Sequence, residues 1–236
     1  MQKSNRERKN EIKYRITLNE EQIEVKRAIR ENQIVIITGR GGSGKSVVGA
    51  ITALDFLFKK EYDEILVTRA LVEVGKSMGY LPGSMDEKFN PYMEALVENL
   101  YSCVDGPNKI KVDGFIKDKV IKSLPIQFIR GKTINQILIC EEAQNTTAGE
   151  MEALLTRLGK EGKIIINGDQ AQRDTTAGET GLDFAIKLSK VIPEIKHFKL
   201  KHNHRSDLVG KILDYIHGHQ KETPRTPQTW NGHKSQ

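Results

Sequence analysis

The 236-residue sequence has few cysteines and aromatic residues and no long hydrophobic run. Its two cysteines, Cys103 and Cys140, are too few for a disulfide framework or a four-cysteine zinc site. No apolar run approaches the roughly 18 residues of a membrane span, and residues 1–15 lack the apolar stretch of a signal peptide. These absences argue against secreted, disulfide-stabilised and membrane-spanning proteins. We therefore expect a cytoplasmic protein with no membrane partner.

The charge of the chain is unevenly distributed. The formal net charge is +6, with 37 Lys and Arg residues against 31 Asp and Glu residues. Residues 1–15 carry +4 and residues 196–236 carry +5, so residues 16–195 carry −3. Basic ends are either solvated tails or nucleic-acid-binding segments, and the sequence leaves both open. All six histidines follow residue 196, but their spacing matches no zinc module.

Hydrophobic patterning predicts strands that alternate with helices. LNEEQIEVKRAIREN predicts a helix with Asn19 as its N-cap and an apolar side formed by Ile23, Val25, Ala28 and Ile29. Short apolar runs predict strands at QIVIITG, EILVTRA, PIQFI, QILICE and KIIINGD, with HFKLK as a further candidate. Helical patterns, such as GLDFAIKLSKVI, separate most of these runs.

This alternation predicts an α/β fold with a mostly parallel sheet and helices on both faces. We expect a basic N-terminal lead at residues 1–17, one domain at residues 18–217 and a flexible tail at residues 218–236. The sequence shows no internal repeat and no second domain.

A glycine-rich segment follows the first predicted strand and precedes a helix. Residues 39–46 read GRGGSGKS and fit G-x-x-x-x-G-K-[ST] at every fixed position. Glycines let successive backbone N–H groups point at phosphate oxygens, and the following helix dipole adds to the field. We expect Lys45 to reach the β- and γ-phosphates and the Ser46 hydroxyl to ligate Mg²⁺. The predicted nucleotide-binding residues here are Gly39, Arg40, Gly41, Gly42, Ser43, Gly44, Lys45, Ser46 and Val47.

Two carboxylates, Glu141 and Glu142, stand at the end of a later apolar run. Ligands of parallel sheets bind at the carboxyl ends of strands, and successive strand residues point to opposite sides. The two acids are therefore expected to do different work. We assign Glu141 to the Mg²⁺ shell and Glu142 to the attacking water.

A third polar cluster, NGDQAQ at residues 167–172, follows the strand pattern KIII. An amide at this position can hydrogen-bond both the γ-phosphate and a water, and so sense whether the γ-phosphate is present. Gln144, just after the acidic pair, is either a switch between the site and a partner or a helix-capping or surface amide. Cys140 is most simply a small core residue.

Four segments of the chain resemble the PhoH-like family, whose members are single-domain P-loop ATPases similar to the first motor domain of superfamily 1 helicases. They are ITGRGGSGKS, VEVGKSMGYLPGSMDEKFNPY, ICEEAQNTTAGEMEALLTRLG and NGDQAQRD. The resemblance runs from about Gln22 to about Tyr215, and the block Gly75–Tyr92 makes it specific, because generic P-loop proteins have no reason to carry it. It implies a RecA-like fold with ATP and Mg²⁺ as cofactors.

The resemblance also implies roles for individual residues. Gln22 resembles the glutamine that reads adenine, and Gln172 resembles the γ-phosphate sensor. Arg205, in the segment 203–206, resembles an arginine that contacts the γ-phosphate, and we expect it to stabilise transition-state charge. Arg69 stands where the family has an arginine beside its nucleic-acid face. The predicted catalytic residues are thus Lys45, Glu142, Gln172 and Arg205.

Two positions depart from the family pattern. Glu141 replaces the usual aspartate, and its longer side chain predicts an indirect contact with Mg²⁺ and altered turnover. His204 replaces an aromatic residue of the helicase element. Some relatives carry a fused nuclease domain, for which we expect no room in this chain.

The sequence thus predicts an ATPase that hydrolyses ATP with Mg²⁺ and couples this to RNA or single-stranded DNA in a helicase-like manner. Because superfamily 1 helicases use two motor domains and we expect one here, the resemblance predicts a ring, most simply a hexamer. Arg173 is then a candidate to act on a neighbouring subunit, although a surface role is favoured. A nucleotide or small-molecule kinase, and a nucleotide-binding scaffold with little turnover, are the alternatives.

Overall fold

The computed structural model describes residues 12–70, 99–173 and 178–202, together with residues 204, 208, 209, 211, 212 and 215. Most of the predicted lead at residues 1–17, the tail at residues 218–236, the block Gly75–Tyr92 and Arg205 lie outside the described residues.

The layers of the fold are built from helices and strands that alternate along the chain. The helices are α1 (Glu20–Glu31), α2 (Lys45–Phe58), α3 (Gly106–Lys117), α4 (Ala148–Leu155) and α5 (Gly181–Ser189). The strands are β1 (Ile34–Gly39), β2 (Ile65–Arg69), β3 (Ile121–Ser123), β4 (Ile137–Glu141), β5 (Lys163–Gly168) and β6 (Ile195–Leu200). Two short 3₁₀ helices lie at Ile126–Phe128 and Ala143–Asn145.

The six strands form one sheet in the order β3-β2-β4-β5-β1-β6, and each neighbouring pair is parallel. Strand β5 therefore lies between β1, which leads into the glycine-rich segment, and β4, which ends at the acidic pair. The predicted α/β P-loop class with a RecA-like arrangement of the sheet is confirmed. The sheet contains only parallel pairs among the described strands, where the sequence predicted a mostly parallel one.

Helices cover both faces of the sheet, as predicted. On one face α1, α2 and α3 pack on Val35, Ile37 and Ile139. On the other face α4 and α5 pack on the alternating positions Ile36 and Cys140. Neighbouring strand residues thus serve opposite cores, which explains why the strands read as continuous apolar runs. Cys140 is a buried core residue, and burial raises the pKa of its thiol.

Helix α1 begins at the predicted N-cap but turns a different side inward. Asn19 accepts a hydrogen bond from the Gln22 backbone, and the Gln22 side chain accepts one from the Asn19 backbone, which completes a capping box. Val25, Ala28 and Ile29 are buried, but Ile23 is 56% exposed and its predicted burial is wrong. Gln22 is buried in its place, because this side of the helix contacts the glycine-rich segment.

The strand predicted at PIQFI is wrong, whereas the one at HFKLK is confirmed within β6. The pairing with β2 comes earlier, at Ile121–Ser123. Pro125 has no N–H to donate to a ladder, and it precedes the 3₁₀ helix Ile126–Phe128. Residues three apart lie on one side of such a helix, so Ile126 and Ile129 are both buried while Phe128 is 49% exposed.

Both cysteines of the chain are free thiols. Across the residues that the structure describes, none of the helices combines the length and the apolar character needed to cross a bilayer.

The 3₁₀ helix predicts unequal effects of two neighbouring substitutions on stability. Ile129→Ala removes a fully buried side chain, so we expect it to lower the free energy of unfolding by about 2–5 kcal/mol. Phe128→Ala removes a half-exposed side chain, so the expected loss is below about 1 kcal/mol. Urea unfolding curves measure both values. Equal losses would show that Phe128 contributes to the core as Ile129 does.

Candidate active site

The polar residues predicted from three separate motifs meet at the carboxyl edge of the sheet. The register places Thr38 beside Gly168 and Cys140 beside Ile166, so β1, β5 and β4 end side by side. A cavity of about 260 Å³ opens at this edge. It is lined by Gly41, Gly42, Gly44, Lys45, Ser46, Val47, Asn99, Glu141, Glu142, Asn167, Gly168, Asp169 and Gln172.

The glycine-rich segment leads into the N-terminus of α2, and its residues Gly41, Gly42 and Gly44 line the cavity. Gly44 is the N-cap of α2 and has φ +84°, a left-handed conformation that favours glycine. A Cβ at Gly44 would also overlap the Gln22 side-chain nitrogen. The loop is therefore both strained for other residues and in close contact with α1. The buried Ser43 hydroxyl has no hydrogen-bond partner among the described residues.

The Lys45 side chain folds back on the same loop. Its ammonium group donates to the carbonyl of Gly39 at 2.6 Å and lies 3.2 Å from the carbonyl of Arg40. Lys45 also lines the cavity, so its positive charge lies where a bound phosphate could contact it.

Glu141 joins two of the predicted elements directly. Its Oε2 accepts a hydrogen bond from the Ser46 hydroxyl at 2.8 Å, and its Oε1 accepts one from the Asn167 amide at 2.9 Å. Burial raises the pKa of Glu141, and these two donors act in the opposite direction. The longer side chain of glutamate therefore reaches the serine hydroxyl without an intervening group.

These residues suit a magnesium ion that is held partly by substrate. The described residues contain no group of three or more His, Cys, Asp or Glu side chains that could hold a metal alone. Mg²⁺ commonly binds through one or two protein oxygens and substrate phosphates, and Ser46 and Glu141 supply such oxygens. Asn167 Oδ1 is buried beside them without a partner among the described residues, so it can accept from a water of the ion.

Glu142 lies outside strand β4, contrary to the predicted alternation of the two acids along one strand. The strand ends at Glu141, and Glu142 adopts φ 52° and ψ 43°. This left-handed conformation is uncommon for glutamate and stores on the order of 1 kcal/mol of strain. The two carboxylates are thus separated by a sharp turn of the backbone and not by strand alternation. The turn places Glu142 on the cavity wall with Glu141.

Gln144 is almost completely buried and connects three parts of the site. Its Nε2 donates to Glu142 Oε2 at 2.5 Å and to the Gln172 carbonyl at 3.3 Å. Its Oε1 accepts from the Asp169 backbone at 2.9 Å. The surface-amide alternative for Gln144 is wrong, because only 1% of the residue is exposed.

Asp169 ties the segment that carries Gln172 to the glycine-rich loop. Asp169 Oδ2 accepts a hydrogen bond from the Gly41 backbone at 2.9 Å, and Oδ1 accepts from Ala171 at 3.0 Å. The Gln172 backbone donates to the Asp169 carbonyl at 3.0 Å. Asp169 was not predicted as a site residue, although an aspartate directly after a strand commonly bonds the backbone two residues on. Asn99 was not predicted either, and no local pattern marks it.

A second pocket, of about 410 Å³, adjoins the loop and contains Gln22. Gln22 Oε1 accepts from the Asn19 backbone, while Nε2 donates to the Ser43 carbonyl at 3.2 Å and lies 3.3 Å from His204 Nε2. The His204 backbone donates to the Gly42 carbonyl at 3.0 Å. The pocket is lined by Ile16, Thr17, Gln22, Gly42, Gly44, Val47 and His204. The size and position of this pocket suit the base of a nucleotide whose phosphates lie in the glycine-rich loop.

The remaining candidate residues are arginines. Arg69 ends β2 and is paired in register with Glu141. Arg173 is exposed and donates to the Gly178 carbonyl at 3.2 Å. Arg205 lies outside the described residues, so its predicted contact with the γ-phosphate stays a prediction.

Known proteins with similar sequences include PhoH-like proteins. The profile of the family described as PhoH-like protein matches residues 15–217. A PhoH-like protein of Mycobacterium tuberculosis (strain ATCC 25618 / H37Rv) is 36% identical over 193 residues, covering 79% of this chain and 53% of that protein. Protein PhoH of Escherichia coli (strain K12) is 34% identical over 171 residues, covering 72% and 48%. The chain thus spans about half the length of these relatives.

Solved structures with similar folds include helicases. The Pif1 helicase from Candida albicans matches with a TM-score of 0.46 and 15% identity, covering 85% of this chain and 43% of that chain. The UvsW helicase from Bacteriophage T4 matches with a TM-score of 0.46 and 12% identity, covering 80% and 61%.

The burial of Glu141 predicts a pH-dependent effect on stability. Because its pKa is raised in the folded protein, this group favours folding most at low pH. That contribution is lost as the pH rises through the unfolded value toward the raised folded value. Glu141→Gln removes the ionisable group, so the melting temperature of the variant should rise relative to the unchanged protein as the pH increases above about 4.3, the ordinary pKa of glutamate.

Differential scanning fluorimetry without nucleotide or metal measures this difference. Glu152→Gln, which changes an exposed glutamate of α4, serves as the matched control for the loss of one carboxylate. A difference for Glu141→Gln that does not change with pH would contradict the raised pKa.

Proposed function

Since the chain belongs to the PhoH-like protein family, we propose that it is a Mg²⁺-dependent ATPase whose turnover is coupled to RNA or single-stranded DNA. The observation that carries this proposal is the meeting of the glycine-rich loop, Glu141, Glu142 and Gln172 in one cavity. A cytoplasmic location and a ring of subunits, most simply a hexamer, belong to the same proposal.

In this proposal the loop binds the phosphates of ATP through its backbone N–H groups and Lys45. Lys45 exchanges the Gly39 carbonyl for phosphate oxygens, which offer it a charged acceptor in place of a neutral one. Ser46 and Glu141 would hold the magnesium ion, which neutralises charge on the β- and γ-phosphates. Gln22 reads the base in the adjoining pocket, where its amide is already held by the capping box.

Glu142 is the proposed general base. It accepts a proton from a water that attacks the γ-phosphorus, and the bond from phosphorus to the ADP oxygen breaks, which gives ADP and phosphate. Gln144 positions Glu142 through the hydrogen bond at its Oε2. Gln172 senses the γ-phosphate, and Arg205 stabilises the charge of the transition state.

Coupling to nucleic acid requires that two bodies move relative to each other. The described strands form one sheet with one phosphate site at its edge. In this proposal a neighbouring copy of the chain supplies the second body, and Arg173 is the candidate to reach that neighbour's nucleotide.

The first test replaces Glu142 by Gln. The amide oxygen of glutamine can still accept from Gln144, so the packing should survive while the base is lost. We expect phosphate release to fall by about 10²–10⁴-fold, with ATP binding largely retained. Phosphate release and equilibrium binding of a fluorescent ATP analogue measure the two effects.

Glu152→Gln is the control and should hydrolyse ATP as the unchanged protein does. Undiminished hydrolysis by Glu142→Gln would refute the assignment of the base. Phosphate transfer to an added acceptor, without release into water, would instead favour a kinase.

A second test concerns the basic N-terminal segment. Removing residues 1–11 deletes four basic residues but retains Tyr14, whose hydroxyl donates to Asp55 on α2. We expect weaker binding of single-stranded RNA or DNA. The slope of log K against log salt should fall by about 0.7 for each phosphate that the segment no longer neutralises.

Fluorescence anisotropy over a salt series measures the slope, with light scattering to fix the number of subunits. An unchanged slope would exclude the segment as a nucleic-acid contact.

A further inference from the structure

We propose that Phe128, Arg130 and Lys132 form a surface that binds a single nucleic-acid strand by base stacking and phosphate contact. We name these three residues the Phe128 platform. The proposal rests on the proposed function, because it says where the nucleic acid of that function touches the chain.

The local structure presents Phe128 outward on a rigid support. Ile126 and Ile129 are buried against β4 and α4, while Phe128 between them is 49% exposed. The backbone at Phe128 is thus fixed by the buried side chains of Ile126 and Ile129. The aromatic ring itself does not fill the core. A large aromatic side chain that is half exposed on an ordered segment suits contact with another aromatic group.

A tight turn places the two cations next to the ring in sequence. The Lys132 backbone donates to the Ile129 carbonyl at 3.1 Å, and Gly131 at the turn has φ +80°. This left-handed conformation favours glycine. Arg130 and Lys132, on either side of Gly131, are both exposed. Neither cation forms an ion pair with another residue that the structure describes.

The charge of this region favours a polyanion over a protein partner of mixed charge. Residues 119–140 contain Lys119, Lys122, Arg130 and Lys132 and no aspartate or glutamate. Residues 16–195 as a whole carry −3, so this stretch is a basic island on an otherwise acidic body. Of these cations, Lys122 is paired with Glu64 at 2.7 Å. Arg130 and Lys132 are therefore the exposed cations of this stretch that lie nearest to Phe128 in sequence.

An exposed aromatic ring flanked by cations is the chemistry that recognises unpaired bases. Stacking on an aromatic ring is tolerant of sequence, because every base has a π face, and basic side chains track the phosphates. Double-stranded nucleic acid hides its base faces, so the platform is specific for a single strand. This specificity separates the platform from the basic segment at residues 1–11, which offers charge without an aromatic ring.

The chain contains a matched control on α3. Ile110 is 73% exposed and lies between Lys109 and Lys111, so it presents an exposed aliphatic side chain between two cations. Those two ammonium groups lie over rings of the protein itself, 5.8 Å from the centroid of Tyr101 and 5.3 Å from that of Phe58. Ile110 has no π face, so it tests whether an exposed aliphatic side chain between two lysines is enough to bind a strand.

The experiment measures binding of a fluorescently labelled single-stranded oligonucleotide to the full chain, with ATP hydrolysis recorded in parallel. We expect Phe128→Ala and Phe128→Leu to weaken binding by about 5- to 150-fold, the range for loss of one stacked base. Basal ATP hydrolysis should be unchanged. Phe128→Trp should retain binding, and Ile110→Ala should bind as the unchanged protein does.

Two further readouts address stacking and charge separately. The chain has one tryptophan, Trp230, so in a Trp230→Phe background the fluorescence of Phe128→Trp reports on position 128 alone. Stacking should quench it when a strand binds. Replacing Arg130 and Lys132 together by Ser should reduce the salt slope by about 1.4, whereas the same change at Lys109 and Lys111 should leave it unchanged.

The outcomes distinguish this proposal from the one on which it rests. Binding by Phe128→Ala equal to that of the unchanged protein, or a loss shared equally by Ile110→Ala, would overturn the platform and leave the coupled ATPase intact. If the unchanged protein binds no strand while Glu142-dependent hydrolysis persists, both the coupling and the platform fail but the ATPase stands.

Discussion

The parallel register of β1, β5 and β4 is the constraint on which the site depends. It brings Ser46, Glu141 and Asn167 within hydrogen-bond distance, although 121 positions separate the first from the last in the chain. A carboxylate that is partly removed from water needs donors to satisfy it, and for Glu141 these donors are the serine hydroxyl and the asparagine amide. Replacing either donor would leave a desolvated charge. The same carboxylate is therefore a structural bond between three elements and a ready anionic ligand for a cation.

A chain of hydrogen bonds extends from this centre to the residues that would act on water. Glu142 is held by Gln144, Gln144 binds the Asp169 backbone, and the Asp169 carboxylate binds Gly41 of the phosphate loop. Because the amide of Gln144 is buried with both ends engaged, it cannot rotate without leaving a polar group unpaired. A displacement of the loop at Gly41 is thus transmitted to the segment at Asp169 and to Glu142. In the proposed mechanism, these hydrogen bonds would connect phosphate binding at the loop with the position of Glu142, the proposed base.

The sequence predicts much of this arrangement because the strands, the glycine-rich loop and the Asn19 cap are local patterns. Hydrophobic periodicity gave wrong predictions where tertiary contacts decide which side chains are buried or which secondary structure forms. Ile23 was expected inside, but the capping box turned Gln22 inward, and the strand expected at PIQFI became a 3₁₀ helix after Pro125. The burial of Gln144 depends on contacts with residues up to 28 positions away, which no local window contains. The placement of Gln172 in the cavity follows from that contact too.

The uneven charge of the chain limits how nucleic acid can approach it. Residues 16–195 carry −3, so a polyanion gains nothing from the field of the body as a whole. Attraction at long range must come from the basic ends, and it weakens as salt screens them. Stacking acts only at contact and is not screened, so the Phe128 platform would hold a strand that the ends had drawn in. If the basic ends attract the strand and the Phe128 platform binds it, the platform can keep the strand bound while the ends dissociate and rebind.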